Sequence, residues 1–149
     1  MSRQRSTLLF EVATPGLSRT RVRGFVRRLE TEVTRGQQFC CLITDARRLR
    51  RLNREFRGRD YPTDVLSFGA EPSVDGQLGE IAISFDAARR QAAEFGHGLA
   101  EEIEILLLHG VLHLVGMDHE TDGGRMSRVE RRWRERFGLP PGLIERVSA

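Results

Sequence analysis

From Ile105 to Met117 the chain runs for thirteen residues without a charged side chain, yet that run contains His109 and His113. Ile103, Ile105, Leu106, Leu107, Leu108, Val111, Leu112, Leu114 and Val115 leave almost no polar face, so this segment reads as a helix buried in the core. Any fold the chain adopts must wrap around it. Residues four apart lie one above the other on a helix, so both imidazoles share one face. Each needs a partner there, because an unpaired polar group in an apolar interior costs about 1–3 kcal/mol. Gly116 comes next, and glycine can take the left-handed conformation that ends a helix and turns the chain back. Such a turn brings His119 toward the first two. Three imidazoles with a fourth position open is the arrangement of a catalytic zinc, whereas structural zinc sites are usually closed by four ligands. The spacing therefore predicts one Zn2+ per chain held by His109, His113 and His119. The competing reading is a pair of core histidines bonded to backbone or to another segment.

The surroundings of this helix define a fold class. Thr7 to Thr14 and Gln38 to Thr44 read as strands, as do Asp64 to Phe68 and Leu78 to Ser84, the last two joined by a turn-rich segment with Pro72, Asp75 and Gly76. Ser18 to about Arg35 carries Val22, Phe25, Val26, Leu29 and Val33 at helical spacing. Thr44 or Asp45 caps a second helix whose buried side holds Leu49, Leu52 and Phe56. Asp86 to Phe95 forms a helix stopped by Gly96. A final helix carries Met126, Val129, Trp133 and Phe137 and closes at Gly138 and Pro140. The order is β-α-β-α-β-β followed by helices. It predicts an α/β (α+β) fold: one small mixed sheet of about four strands covered by about five helices. At 149 residues the expectation is a single domain spanning 1–149.

Composition narrows the function classes. With 39% hydrophobic and 30% charged residues, the chain has the balance of a soluble globular protein. No apolar stretch approaches a membrane span, and the N-terminal apolar run is broken by Glu11, which argues against a signal peptide. Cys40 and Cys41 are adjacent and alternate across a strand, so they suggest neither a disulfide framework nor a zinc pair. A reducing, cytoplasmic location fits. Charge is uneven: residues 1–59 hold fifteen arginines against five carboxylates, and the remainder is net acidic. A basic half of this kind suits a nucleic-acid backbone. Arg47, Arg48, Arg50, Arg51, Arg54, Arg57 and Arg59 crowd into thirteen residues. Several belong to a solvated helix face. Arg57 differs, since it stands just past the helix, before Gly58 and a loop, where an arginine can reach into a cleft and clamp a phosphate.

Phe56-Arg57-Gly58, Asp60-Tyr61-Pro62-Thr63-Asp64-Val65-Leu66-Ser67-Phe68, Leu78-Gly79-Glu80-Ile81 and the histidine stretch with Glu120 together resemble the YbeY family of bacterial metal-dependent endoribonucleases. The resemblance runs from about Leu49 to Glu130. It implies a zinc site at His109, His113 and His119 and a functionally required arginine at Arg57. It also implies action on single-stranded RNA, 3′-end maturation of small-subunit (16S) ribosomal RNA, and a part in ribosome quality control. Ribosomal RNA and the small subunit are the expected partners, with neither DNA nor a membrane among them. Met117 stands where the family usually has an aromatic, often Tyr; it can fill that space but brings no hydroxyl.

Two other classes compete. The spacing His-x3-His-x2-Gly-x2-His also fits metzincin proteases, whose first histidine is followed by a glutamate that acts as general base. Here that position is Gly110, which counts against peptide hydrolysis. A non-catalytic RNA-binding assembly factor with a structural zinc would need a fourth ligand from His97, Asp118 or Glu120. His97, in a Gly-His-Gly hinge, reads as an exposed loop histidine. Asp118 and Glu120 flank the third histidine and are better placed to orient it or to accept a proton, since zinc-bound imidazoles usually donate their other N–H to a carboxylate or carbonyl.

Overall fold

Thr7–Phe10 (β1), Gln38–Thr44 (β2), Val65–Gly69 (β3) and Gln77–Ser84 (β4) pair into one sheet in the order β1-β2-β4-β3. The computed structural model describes residues 5–69, 77–117 and 122–148. β1, β2 and β4 run parallel, with Leu8 opposite Cys41 and Cys41 opposite Ile81, while β3 returns antiparallel along β4 with Ser67 opposite Ile81. The helices are Arg19–Arg28 (α1), Ala46–Arg57 (α2), Phe85–Phe95 (α3), Leu99–Leu114 (α4), Arg125–Phe137 (α5) and Leu143–Ser148 (α6). The small mixed sheet and its helical cover are as the residue pattern predicts. The turn segment with Pro72, Asp75 and Gly76 lies outside the described residues.

Side-chain alternation divides the sheet into two faces. Phe39, Cys41, Ile43, Ile81 and Ile83 point into the main core with Val22, Phe25 and Val26 of α1 and the apolar body of α4. Leu66 and Ala82 point the other way, onto Leu49 of α2. Burial holds the Cys41 thiol far above its ordinary range and also raises that of Cys40, so neither behaves as a reactive thiol. Every residue of α4 from Glu102 to Leu112 is buried, as a helix without a polar face requires.

β1 ends at Phe10 rather than Thr14, and three further expectations change. The first helix stops at Arg28 and continues as a π-helical turn, Leu29–Val33, which still buries Leu29. Phe56 is 65% exposed, because α2 inserts Leu49 and the polar Asn53 instead. Asn53 donates its side-chain amide to the Tyr61 carbonyl at 3.0 Å, which ties down the loop that follows Gly58. The third difference is α6, which the sequence did not signal.

Two buried carboxylates place α4. Glu104, 5% exposed, receives the Arg21 Nε–H at 2.6 Å and so joins α1 to α4. Burial holds its carboxyl above the ordinary 4.5, and the Arg21 hydrogen bond offsets only part of that effect. The folded state therefore binds this proton more tightly than the unfolded state does. The resulting stability is greatest below 4.5 and declines as pH rises through the raised folded value. Glu104→Gln is expected to flatten that portion of the curve when urea midpoints are compared from about pH 4 to about pH 8. A variant whose curve parallels the wild type would show that Glu104 is not the group responsible.

Candidate functional site

His109 and His113 sit one turn apart on α4 with their Nε2 atoms 3.1 Å apart and their rings crossed at 74°. His109 is 7% exposed and His113 is half-buried. The other ring nitrogen of His109 is engaged: Nδ1–H donates to Glu130 Oε2 of α5 at 2.8 Å. That bond fixes the tautomer, so the His109 Nε2 lone pair faces His113. The second oxygen of Glu130 accepts the backbone N–H of Ile144 at 3.1 Å, which links the first turn of α6 to the same carboxylate. Glu130 is 1% exposed, and both of its oxygens are matched. Sequence reasoning looked for this partner beside the third histidine. The available signal was an acid standing between Met126 and Trp133 on the apolar stripe of α5.

The end of α4 follows the glycine expectation. Gly116 has φ +98°, Gly116 N–H donates to the His113 carbonyl at 3.0 Å, and Met117 N–H to the Leu112 carbonyl at 3.1 Å. This pair of bonds is a Schellman closure, which reverses the chain direction. Met117 is partly buried against the core. Asp118, His119 and Glu120 lie outside the described residues, and among the described residues no group of three potential ligands is assembled. His97 is not an exposed loop side chain. Its Nε2–H donates to the buried Glu102 at 2.6 Å, and it does not line the cavity at the histidines.

Gly110 faces the sheet. A Cβ there would stand 2.9 Å from Ile81 Cγ2 and 3.2 Å from Ser67 Oγ, while Ser67 Oγ–H already donates to the Gly110 carbonyl at 3.0 Å. Only glycine lets α4 approach β3 and β4 this closely. Gly110→Ala is expected to destabilise the fold by about 1–3 kcal/mol through overpacking. The check is a lower urea midpoint at unchanged slope, and an unchanged midpoint would contradict this close approach.

Arg57, the last residue of α2, crosses to the same place. Its Nη2–H donates to the Ser67 carbonyl at 2.8 Å. Ser67 thus connects the arginine, β3 and the histidine helix. Arg57, Arg59, Tyr61, Asp64, His109 and His113 all line one cavity of about 390 Å³. Asp64 is the carboxylate on its described wall, and Gln91 Nε2–H donates to it at 3.2 Å. The remaining arginines of α2 are more dispersed: Arg50 pairs with Asp60 at 2.8 Å, and Arg48 lies 3.9 Å from Glu11. The Arg50 guanidinium holds the Asp60 carboxyl below its ordinary range. No helix among the described residues is long and apolar enough to cross a membrane.

Comparisons with known proteins agree with one another. The family described as Endoribonuclease YbeY matches residues 18–138. An Endoribonuclease YbeY of Solibacter usitatus (strain Ellin6076) is 55% identical over 144 residues, which cover 97% of this chain and 96% of the relative. Another from Koribacter versatilis (strain Ellin345) is 54% identical over 107 residues, covering 72% and 69%. The solution structure of TM1509 from Thermotoga maritima is similar at a TM-score of 0.60 and 26% identity over 87% of each chain. With its matched span reaching from α1 to the end of α5, this chain belongs to the YbeY endoribonuclease family.

Proposed function

We propose that this protein is a zinc-dependent, single-strand-specific endoribonuclease that hydrolyses phosphodiester bonds at His109, His113 and His119, with Arg57 as the phosphate clamp. The observation that carries the reading is the convergence of two imidazole Nε2 atoms on a cavity that Arg57 also lines. Two nitrogens on one tetrahedral zinc stand about 3.3 Å apart for Zn–N bonds of about 2.0–2.1 Å. The observed 3.1 Å is close to that spacing. Glu130 holds the Nδ1 proton of His109, which makes Nε2 the nitrogen that would ligate, the arrangement a ligating histidine needs. The two described donors are therefore spaced as ligands of one zinc would be.

When bound, zinc supplies Lewis acidity toward a phosphate oxygen and toward an attacking water. Arg57, oriented by the Ser67 carbonyl, binds the scissile phosphate and stabilises the charge it gains in the transition state. Glu130 keeps the His109 ring from rotating. Asp64 lies on the cavity wall and can hold a proton released there, a role also open to Asp118 and Glu120. Arg59 and the exposed ring of Tyr61, whose hydroxyl lies 3.3 Å from Arg59 Nη1, combine positive charge with a stacking surface. That combination serves single-stranded nucleic acid.

Gly110 argues against a protease in this fold. A general-base carboxylate at that position would enter the Ile81 side chain rather than the cavity. The open cavity beside the histidines favours a catalytic over a purely structural ion. Within this reading the substrate in the cell is the 3′ region of small-subunit (16S) ribosomal RNA, the partner is the small ribosomal subunit, the workplace is the cytoplasm, and residues 1–149 act as one hydrolase domain. The test offers purified protein a single-stranded RNA, a duplex RNA and a denatured protein substrate, with and without a chelator, beside a measurement of bound metal. Cleavage confined to single-stranded RNA, lost with the metal and restored by zinc, is the expected result. Proteolysis, or RNA cleavage indifferent to metal removal, would overturn it.

A further inference from the structure

Asp64, His109 and Leu143 line the histidine cavity and also line a second, adjoining chamber of about 680 Å³. That volume falls within the roughly 300–1,000 Å³ usual for small-ligand sites. The two chambers differ in chemistry. The first presents Arg57 and Arg59. The second is walled by Phe95, Leu143 and Ile144, with Gln91, Ser127 and Glu94 as its polar groups. Its one described cation, Arg146, is committed elsewhere: both terminal nitrogens donate to the buried Glu102, at 3.1 and 2.8 Å. Glu94 adds negative charge. A phosphate is therefore poorly served there, and a flat, largely apolar group is well served.

Phe95 is 46% exposed; Arg146 covers one face of its ring, with the guanidinium carbon 4.3 Å from the centroid, and the exposed part of the ring extends the apolar wall. Gln91 is turned toward Asp64, to which its amide N–H donates. A strand whose phosphate lies between Arg57 and the histidines must direct the attached nucleoside to one side. The adjoining chamber suits a base on one side, as the exposed Tyr61 ring does at the first cavity.

Building on the nuclease reading of the histidine cavity, we propose that this second chamber binds the nucleobase next to the scissile phosphate, packed against Phe95, Leu143 and Ile144. Phe95 is then a substrate-positioning residue, and the base pocket sets the register of the strand over the histidines.

The test uses the full chain as purified and two fluorescein-labelled probes: an adenylate hexanucleotide and a hexamer of the same ribose-phosphate backbone without bases. Binding is read by anisotropy at low temperature, with probe integrity checked afterwards. Base stacking predicts that the wild type holds the adenylate probe about tenfold tighter than the abasic one. Ser127→Trp fills the chamber and is expected to remove most of that difference, leaving only what stacking on Tyr61 contributes. Phe95→Leu removes the ring but keeps the wall apolar, and it should shrink the gap severalfold. Both variants should bind the abasic probe as the wild type does, which also reports that they are folded. Equal binding of the two probes by the wild type, or an undiminished gap in both variants, would overturn the proposal. Cleavage measured in parallel separates the two readings. Base discrimination without RNA cleavage sinks the nuclease and leaves the base site, whereas cleavage without base discrimination does the reverse.

Discussion

His113→Ala is expected to abolish RNA cleavage, lowering kcat/KM by at least about 10³-fold, while leaving the metal-free fold intact. The size follows from the several kcal/mol that a metal ion contributes to such a transition state, at about 1.4 kcal/mol per factor of ten. The choice of histidine matters. His109 donates its Nδ1–H to Glu130 inside the protein. Removing it leaves an oxygen of a buried carboxylate without that partner, and an unsatisfied buried group costs about 1–3 kcal/mol, more when it is charged. Lost activity in His109→Ala would then mix chemistry with unfolding. His113 is only half-buried, and its truncation leaves the His109–Glu130–Ile144 connection in place. The measurements are metal content, cleavage of single-stranded RNA, and the urea midpoint of metal-free protein. Metal-loaded protein is the wrong comparison for stability, because binding to the native state alone raises the wild-type midpoint by mass action. If His113→Ala keeps its metal and more than about a tenth of the activity, the histidines do not form the reaction centre.

What was legible in the sequence divides along physical lines. The burial of α4 could be read because a thirteen-residue run without charge has no other stable place, and the reversal at Gly116 because few residues take φ +98°. Arg57 stood out by its position before Gly58, and the structure places it on the same cavity as His109 and His113. Glu130 was missed because its partner lies 21 residues away in sequence, and helical periodicity describes which face is covered, not what covers it. The same limit misplaced Phe56. Its spacing matched Leu49 and Leu52, but the patch beneath α2 is small, formed with Leu66, Ala82 and Phe68, and Phe56 lies tilted against Phe68 with ring centroids 5.1 Å apart instead of entering it. α6 carries too few residues to show a period. Its place is set by Ile144 N–H on Glu130 and by Arg146 on Glu102, both of them tertiary contacts.

Arg57→Ala is expected to lower kcat/KM by about 10²–10³-fold, the range seen when a preorganised donor to a developing charge is removed. The loss should fall on kcat more than on KM, since an interaction made mainly in the transition state affects the chemical step. Arg57→Lys keeps the charge but is expected to recover only part of the rate. The guanidinium fork is planar and is aimed by the bond from Nη2 to the Ser67 carbonyl, whereas an ammonium is a mobile, strongly hydrated point charge. Arg51 supplies the contrast. It is exposed on the same helix and is absent from the described walls of the cavity, so it can meet RNA only as backbone charge. Arg51→Ala should therefore leave kcat in place, weaken binding modestly, and reduce the salt slope of log K by about 0.7 for one lost phosphate contact on a single strand. Steady-state kinetics at several salt concentrations separate the two behaviours. Should Arg57→Ala change only KM and the salt slope, as Arg51→Ala is expected to, then Arg57 is one more contact to the RNA backbone and the transition-state charge must be met by another group.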